Sequence, residues 1–354
     1  MYYQKLLYIF FLVLALNLSF FSTSKVNAQV FLIDQIEISE KLENNFNKNI
    51  LINRGFKKAF KELMGKLIQS KDLDKTKSIK LNEIKSMIET FSIKEEKFIN
   101  KTYKLNLGVS FNKKKIFNYL NFKNIFPAQI IEEKFLFIPI IIDQSNTDLL
   151  VFSNNPIYKN WIEEKKIEKY LIEYILPTED LEDLNLIKKN YLELENYDFD
   201  EIVKKYILDN YIIALFFKDD DQIKVLSKIN IKDKKVIKSN SFKNINLNNS
   251  ESLKKLIESL KIIYEDFWKE NNIINTSIKL PLIVRVDHTS SYKLIEFEKI
   301  LNELDLVSYH SIDKLDKKHT FYKIIFNGSS SNFIHIMKNK NYLFNTQKKI
   351  WILK

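Results

Sequence analysis

Alternating apolar and polar positions predict the strands and helices of this chain and divide them into three groups. In the first group, a helix carries apolar residues three and four positions apart, which places them on one face. A predicted hairpin follows, and its second arm alternates with period two, so one side meets a core and the other meets water. The predicted elements are a strand over 35–38, helices over 50–69 and 81–88, and hairpin arms over 91–99 and 102–111. Together they predict an N-terminal α+β domain over residues 29–125.

The middle group begins with an uninterrupted apolar run over 135–142, which is typical of a strand buried on both faces. Pro139 lies within this run and cannot donate a backbone hydrogen bond, which predicts an edge position or a bulge. The elements that follow are helices over 162–175 and 200–208, strands over 211–217, 223–231 and 235–242, and a helix over 250–269. Strands that alternate with helices favour a partly parallel sheet, so we expect an α/β domain over residues 134–271.

The last group shows the clearest order, which we interpret as βαββαβ over residues 278–354. Its elements are strands over 280–286, 307–312 and 320–326, helices over 291–304 and 332–338, and a final strand from Tyr342. This order is typical of a split-βαβ, ferredoxin-like domain. The fold class predicted for the chain is therefore mixed, α+β and α/β, in several small domains of which the C-terminal one is ferredoxin-like.

Residues 1–28 have the three regions of a cleavable signal peptide. Lys5 provides a positive charge, an apolar run covers 6–21, and Val26-Asn27-Ala28 matches a small-residue cleavage pattern. The apolar run is shorter than the roughly 20 residues that cross a bilayer, and we see no later run of that length. We therefore expect cleavage near Ala28, export to the periplasm, and no transmembrane segment in the mature chain.

Composition narrows the possible partners and chemistry. The net charge is +11, but only Arg54 and Arg285 are arginines among 56 basic residues. Recognition of phosphate tends to enrich arginine for its bidentate fork, so the charge does not indicate a nucleic-acid partner. The chain has no cysteine, which excludes thiol chemistry, disulfides and cysteine metal sites. Its four dispersed glycines do not form a phosphate loop, and its four histidines show no metal-ligand spacing. We predict no cofactor and no metal.

The acidic segment from Pro177 to Asp183 is the strongest candidate for carboxylate chemistry. Asp180, Glu182 and Asp183 could hold a metal ion or act as an acid and base pair in a hydrolase. The favoured interpretation is structural, because Asp180 lies where a helix begins and carboxylates in a first turn interact well with its N-terminus. No catalytic residue is predicted.

Aromatic residues near Asn155 suggest a contact surface. Asn154-Asn155-Pro156 predicts a polar turn, and Tyr158 and Trp161 follow it closely. Most aromatic residues at helical or strand periods belong to a core, but this set lies beside a turn and could be exposed. We take Asn155, Tyr158 and Trp161 as a candidate surface for a glycan or a peptide.

Several motifs in order resemble domain-of-unknown-function family 2066, exported proteins of Gram-negative bacteria. The resemblance rests on Arg54-Gly55-Phe56, Leu63-Met64-Gly65-Lys66-Leu67, the strand from Tyr103 to Asn112, the buried strand over 135–142, and Leu176-Pro177 with Asp180-Leu181-Glu182-Asp183. Glycines and tryptophans expected around the buried strand are missing here. The resemblance implies an envelope location and brings no catalytic residues.

Three hypotheses follow from the sequence. The leading one is a non-enzymatic interaction or adaptor protein of the cell envelope, whose partner is another envelope protein. The alternative is a glycan- or peptide-binding module that uses Asn155, Tyr158 and Trp161. The third is a metal-assisted hydrolase that uses Asp180, Glu182 or Asp183. The sequence leaves the partner, the pathway and the oligomeric state open.

Overall fold

The computed structural model describes residues 30–42, 46–143, 148–163, 170–219, 222–231, 234–275, 278–287, 291–304 and 306–354. In these ranges the strands form three sheets, which correspond to the three predicted groups and establish a mixed α and β fold. None of the helices in these ranges has both the length and the apolar character that crossing a bilayer requires. The predicted signal peptide lies outside the described residues.

The N-terminal sheet is antiparallel and carries a long helix on one face. Its elements are β1 (Val30–Lys41), α1 (Lys48–Leu67), α2 (Leu81–Met87), β2 (Ile88–Ile99), β3 (Thr102–Asn112) and α3 (Lys113–Phe122). The strand order is β1-β3-β2, so the predicted hairpin is confirmed as β2 and β3. Asn47 caps α1 by accepting from the backbone of Asn49 and Ile50, and the buried face of α1 includes Phe56 and Leu63.

The middle domain has helices on both faces of a mixed sheet. Its elements are β4 (Glu133–Asp143), β5 (Asp148–Leu150), α4 (Pro156–Glu163), β6 (Ile172–Ile175), α5 (Leu181–Lys189), α6 (Asp200–Lys204), β7 (Tyr211–Asp219), β8 (Gln222–Ile231), β9 (Lys234–Lys243) and α7 (Ser250–Asn271). The path through the sheet is β5-β4-β7-β8-β9, and β6 also pairs with β4. Strands β6, β4 and β7 are parallel, as the alternation of strands and helices predicted.

Side chains of β4 alternate between two cores, which explains its continuous apolar sequence. Phe135, Phe137 and Ile141 pack with α4 and α7 on one face. Leu136 and Ile140 pack with α5 and α6 on the other. A strand covered on both faces has no position left for a polar side chain along its central length.

The prediction that Pro139 lies at a sheet edge or at a bulge is wrong. β4 lies inside the sheet and pairs in regular register with β7, where Pro139 faces Ala214. On its other side, β6 pairs with residues 133–136 and β5 pairs with residues 141–143. Pro139 therefore lies between two short neighbours, where no ladder partner is needed for its missing N–H.

The helix predicted over 162–175 is wrong in its second half. α4 begins earlier, at Pro156, and ends at Glu163, while Ile172–Ile175 forms β6. Apolar residues of this segment fit a helical spacing and a short strand equally well, and pairing with β4 decides between them.

The C-terminal domain follows the predicted order until its last element. Its elements are β10 (Leu280–Asp287), α8 (Ser291–Glu303), β11 (Val307–Leu315), β12 (His319–Phe326), α9 (Ser330–Asn339), β13 (Phe344–Asn345) and β14 (Ile350–Leu353). The sheet order is β11-β12-β10-β14-β13. Thus β10, α8, β11 and β12 form the expected split unit, with both neighbouring pairs antiparallel.

The end of the chain departs from a ferredoxin-like domain. The single final strand that we predicted is replaced by two short strands, β13 and β14, which pair antiparallel. β14 lies next to β10 and runs parallel to it. A single strand reached from β12 through α9 would run antiparallel to β10. The hairpin of β13 and β14 reverses the chain, so β14 runs parallel to β10 instead.

The three domains meet around the C-terminal end of α7. Asp266 accepts from the backbone N–H of Ser70 at 2.7 Å and bonds its hydroxyl, which joins α7 to the segment after α1. Ala128 forms an isolated bridge with Ile273. Ile274, which follows, is buried in the core of the C-terminal domain. This end of α7 therefore fixes contacts with the N-terminal domain and begins the C-terminal one.

Candidate contact sites

Asn155 does not lie on the surface. Its side chain is 0% exposed and donates to the backbone carbonyls of Pro139 at 3.0 Å and Leu150 at 3.3 Å. Its Oδ1 accepts from the backbone N–H groups of Ile157, at 2.8 Å, and Tyr158, at 3.3 Å, in the first turn of α4. The amide therefore fills the gap beside Pro139 and caps α4 at the same time.

The surface predicted from Asn155, Tyr158 and Trp161 is not formed. Trp161 is 2% exposed and stacks on Phe137, with ring centroids 3.8 Å apart and an interplanar angle of 23°. Tyr158 is half-buried, and its hydroxyl donates to the carbonyl of Pro177 at 2.6 Å. Two of the three side chains are thus core residues, and the third links α4 to the acidic segment.

The acidic segment begins α5, as the capping interpretation predicted. Asp180 Oδ1 accepts from the backbone N–H groups of Glu182 at 2.7 Å and Asp183 at 3.3 Å. These two hydrogen bonds, followed by Lys205, hold the pKa of the Asp180 carboxyl below its ordinary value. The preceding Glu179 accepts from the backbone N–H of Ser153 at 3.0 Å. The segment thus connects α5 to the chain before α4.

Lys205 gathers the carboxylates of this segment. Its Nζ lies 2.7 Å from Asp183, 3.3 Å from Glu182 and 3.7 Å from Asp180. The hydrogen bond with Asp183 is the main cause that raises the pKa of Lys205. Asp183 is fully buried, so its carboxylate is compensated by this ammonium. These contacts give the three carboxylates a structural role, because together they bind Lys205, the residue that follows α6.

The three described histidines point to separate neighbours. His310 contacts Asn302 at 2.8 Å, and His319 contacts Asp316 at 3.1 Å and Asp287 at 3.4 Å. His335 lies beside Asn339 at 3.4 Å. Within the described ranges, no group of three or more potential metal ligands converges. His288 lies outside these ranges.

An exposed strand edge is the first feature that the sequence analysis missed. β2 is twelve residues long and occupies one edge of the N-terminal sheet, paired with β3. Phe91 is 48% exposed and Phe98 is 61% exposed, although both belong to an arm of the predicted hairpin. Phe91 contacts Phe56 of α1 with ring centroids 5.0 Å apart. Among the described residues, the outer edge of β2 has no strand partner, and exposed apolar side chains lie along it.

A cavity in the middle domain is the second such feature. It has a volume of about 320 Å³ and lies against β7, β8 and β9, under the loop that precedes α6. Tyr197 and Phe199 from this loop and Tyr211 from β7 contribute aromatic rings, and Lys228 and Lys235 contribute amines. Lys228 donates to the carbonyl of Tyr197 at 2.8 Å, and burial lowers its pKa. Aromatic walls with two amines make this a candidate ligand site.

Two comparisons with known proteins found no match. No protein-family model matches this chain. A search of curated proteins also found no match.

Proposed function

We propose that this chain is a non-enzymatic interaction or adaptor protein of the periplasm that binds an extended segment of another envelope protein along β2. The proposal includes removal of residues 1–28 by cleavage near Ala28, and membership in domain-of-unknown-function family 2066. The observation that carries it is the outer edge of β2, which pairs with no other strand in the described part of the chain and has exposed apolar side chains. An edge of this kind offers main-chain groups for pairing and side-chain pockets for specificity.

The chemistry of β2 favours one specific strand over general aggregation. Apolar residues at each end of β2 flank a charged centre that runs from Lys94 to Lys97. Register shifts occur near Ile88 and Ile93, and such bulges and charges discourage unselective pairing. The favoured partner is therefore an extended segment with apolar side chains at its two ends and mixed charges between them.

Cross-linking in the native envelope tests the proposal. A photoreactive phenylalanine analogue is placed at Phe91 or Phe98, and the matched control carries it at Phe122 of α3, which is 84% exposed. We expect one protein to be captured from both β2 positions, at low and at high salt, and not from Phe122. Equal capture from Phe122, or none from β2, would contradict the adaptor function.

Two further measurements test the periplasmic location and the contact at β2 separately. Mass spectrometry of the protein isolated from the periplasmic fraction should give an N-terminus at Gln29. The substitution Phe98→Asp should abolish capture from Phe91 while leaving the unfolding temperature nearly unchanged, because Phe98 is largely exposed. An unprocessed N-terminus would contradict export, whereas unchanged capture would contradict the β2 contact.

A further inference from the structure

We propose that the cavity beside β8 binds a free amino acid with an aromatic or branched aliphatic side chain. This inference goes beyond the proposed adaptor function, because the cavity lies in the middle domain and uses none of the residues of β2. It rests on a juxtaposition of apolar walls with charges of both signs in one small cavity.

Two amines on adjacent strands can hold the carboxylate of the ligand. Lys228 on β8 and Lys235 on β9 both line the cavity. The ammonium of Lys228 has three N–H donors, of which the bond to the Tyr197 carbonyl uses one. Its side chain is held against the ring of Phe199, with Nζ 5.5 Å from the ring centroid. A carboxylate placed there would gain a charge-assisted hydrogen bond in a partly desolvated setting.

Acidic residues that line the same cavity favour a zwitterionic ligand over a simple anion. Glu195 and Asp198 line the cavity together with the two lysines. Asp200 lies just outside the lining and pairs with Lys235 at 3.3 Å. An anion would be attracted by the amines and repelled by these carboxylates, whereas an amino acid presents an ammonium to one set and a carboxylate to the other.

The apolar lining and the volume limit the ligand to one residue with a large side chain. Tyr197 and Phe199 lie edge to face, with ring centroids 4.8 Å apart, and Tyr211, Ile213 and Ile237 continue the apolar surface. The cavity of about 320 Å³ is at the lower end of ligand sites, which span about 300–1,000 Å³. Aromatic rings of this kind favour a flat or branched apolar group.

Isothermal titration calorimetry of the full mature chain with L-phenylalanine tests the inference. The two comparison ligands are N-acetyl-L-phenylalanine, which lacks the ammonium, and L-phenylalanine amide, which lacks the carboxylate. We expect saturable binding of L-phenylalanine and a loss of about tenfold or more in affinity for each comparison ligand, as for a missing charge-assisted hydrogen bond.

Substitutions assign the binding to this cavity. Lys228→Met should weaken binding of L-phenylalanine by about tenfold or more. Lys224→Met is the matched control, because Lys224 lies on the same face of β8 but not on the cavity, and should leave affinity unchanged. Lys235→Met provides a second test at a largely exposed position. It replaces Lys228→Met if the thermal unfolding curve of that variant shows that it does not fold.

Three outcomes would overturn the inference. The first is absence of saturable binding of L-phenylalanine, and the second is affinity for either comparison ligand equal to or greater than that for L-phenylalanine. The third is unchanged affinity in a folded Lys228→Met or Lys235→Met protein. Each would exclude an amino-acid site here without bearing on capture at β2.

Discussion

Glu265 of α7 accepts a hydrogen bond from the backbone N–H of Leu171 at 2.8 Å, across 94 positions of sequence. The same oxygen accepts from Ile172 at 2.7 Å, so one buried carboxylate fixes the chain where β6 begins. Lys261 and Lys269, one turn away on either side, donate to the carbonyls of Trp161 and Gly65. One stripe of α7 therefore holds backbone from α4, β6 and α1 with charged side chains.

Removal of the Glu265 side chain should destabilise the middle domain strongly. Glu265→Ala leaves two backbone N–H groups without an acceptor in a buried site, and we expect a loss of about 2–4 kcal/mol in the free energy of unfolding. Glu265→Gln retains a carbonyl oxygen at this position and should cost much less. Urea unfolding followed by tryptophan fluorescence measures both, in a Trp351→Phe background that leaves Trp161 and Trp268 in the middle core. Equal losses in the two variants would contradict this role.

The pH dependence of this pair of variants should have a definite sign. Burial raises the pKa of Glu265 above its ordinary value near 4.5, although the N–H groups and Lys269 oppose the shift. The folded protein therefore binds the proton more tightly than the unfolded chain does, and this group lowers stability as pH rises from 4.5 through its folded pKa. Stability of Glu265→Gln relative to the natural protein should increase over that range. A constant difference in urea midpoints across it would exclude the shift.

Replacement of Asn155 should weaken the junction between β4 and α4. Asn155→Ala removes the donor to two carbonyls and the acceptor for two N–H groups, and we expect a loss of about 2–3 kcal/mol. Asn154→Ala is the matched control. The Asn154 side chain is exposed, so its removal should have little effect. The same fluorescence assay compares them. A neutral Asn155→Ala would contradict this stabilising role.

The Asp180 substitution separates capping from catalysis. Asp180→Ala should lower the unfolding temperature by a few degrees because α5 loses its cap, whereas Asp180→Asn should restore most of that loss. Since the pKa of Asp180 is lowered in the folded protein, its stabilising effect is present above pH 3.8 and is lost as pH falls through the folded pKa. Thermal scans at neutral and low pH measure both effects. Identical unfolding temperatures for all three proteins would contradict the capping role.

Lys205 and Asp183 should show strong coupling. Lys205→Met leaves the buried carboxylate of Asp183 without its ammonium and should destabilise the protein more than Asp183→Asn does. The double substitution should recover much of the loss, because it removes the uncompensated charge. A double-mutant cycle of unfolding free energies measures the coupling, and strict additivity would show that the two side chains act independently.

Periodicity predicted most elements because long patterns have one solution. Strand β3 and the long helix α7 each have many positions that agree with a single period. The segment 172–175 has too few positions to separate a strand from a helix, and its structure depends on pairing with a strand about forty residues earlier. The final hairpin was missed for the same reason, since β13 and β14 have two and four residues.

Sequence reasoning found the capping role of Asp180 but not the contact sites. Capping is local, so a carboxylate before a helical pattern is sufficient to predict it. The burial of Asn155 depends on a gap between β5 and β6, which no local pattern displays. The cavity combines Tyr197 with Lys228 and Lys235 through sheet pairing and a covering loop. The only sign of this cavity in the sequence is the density of aromatic residues before α6.

The position of β14 gives the C-terminal domain a strict order of completion. Residues 350–353 are synthesised after every other strand of this sheet, yet they occupy the place between β10 and β13. Until they emerge, one side of β10 stays open, and the domain is exposed to pairing with other chains. Pairing of β14 with β10 is therefore the closing step of this sheet, which stays incomplete until residues 350–353 have been synthesised.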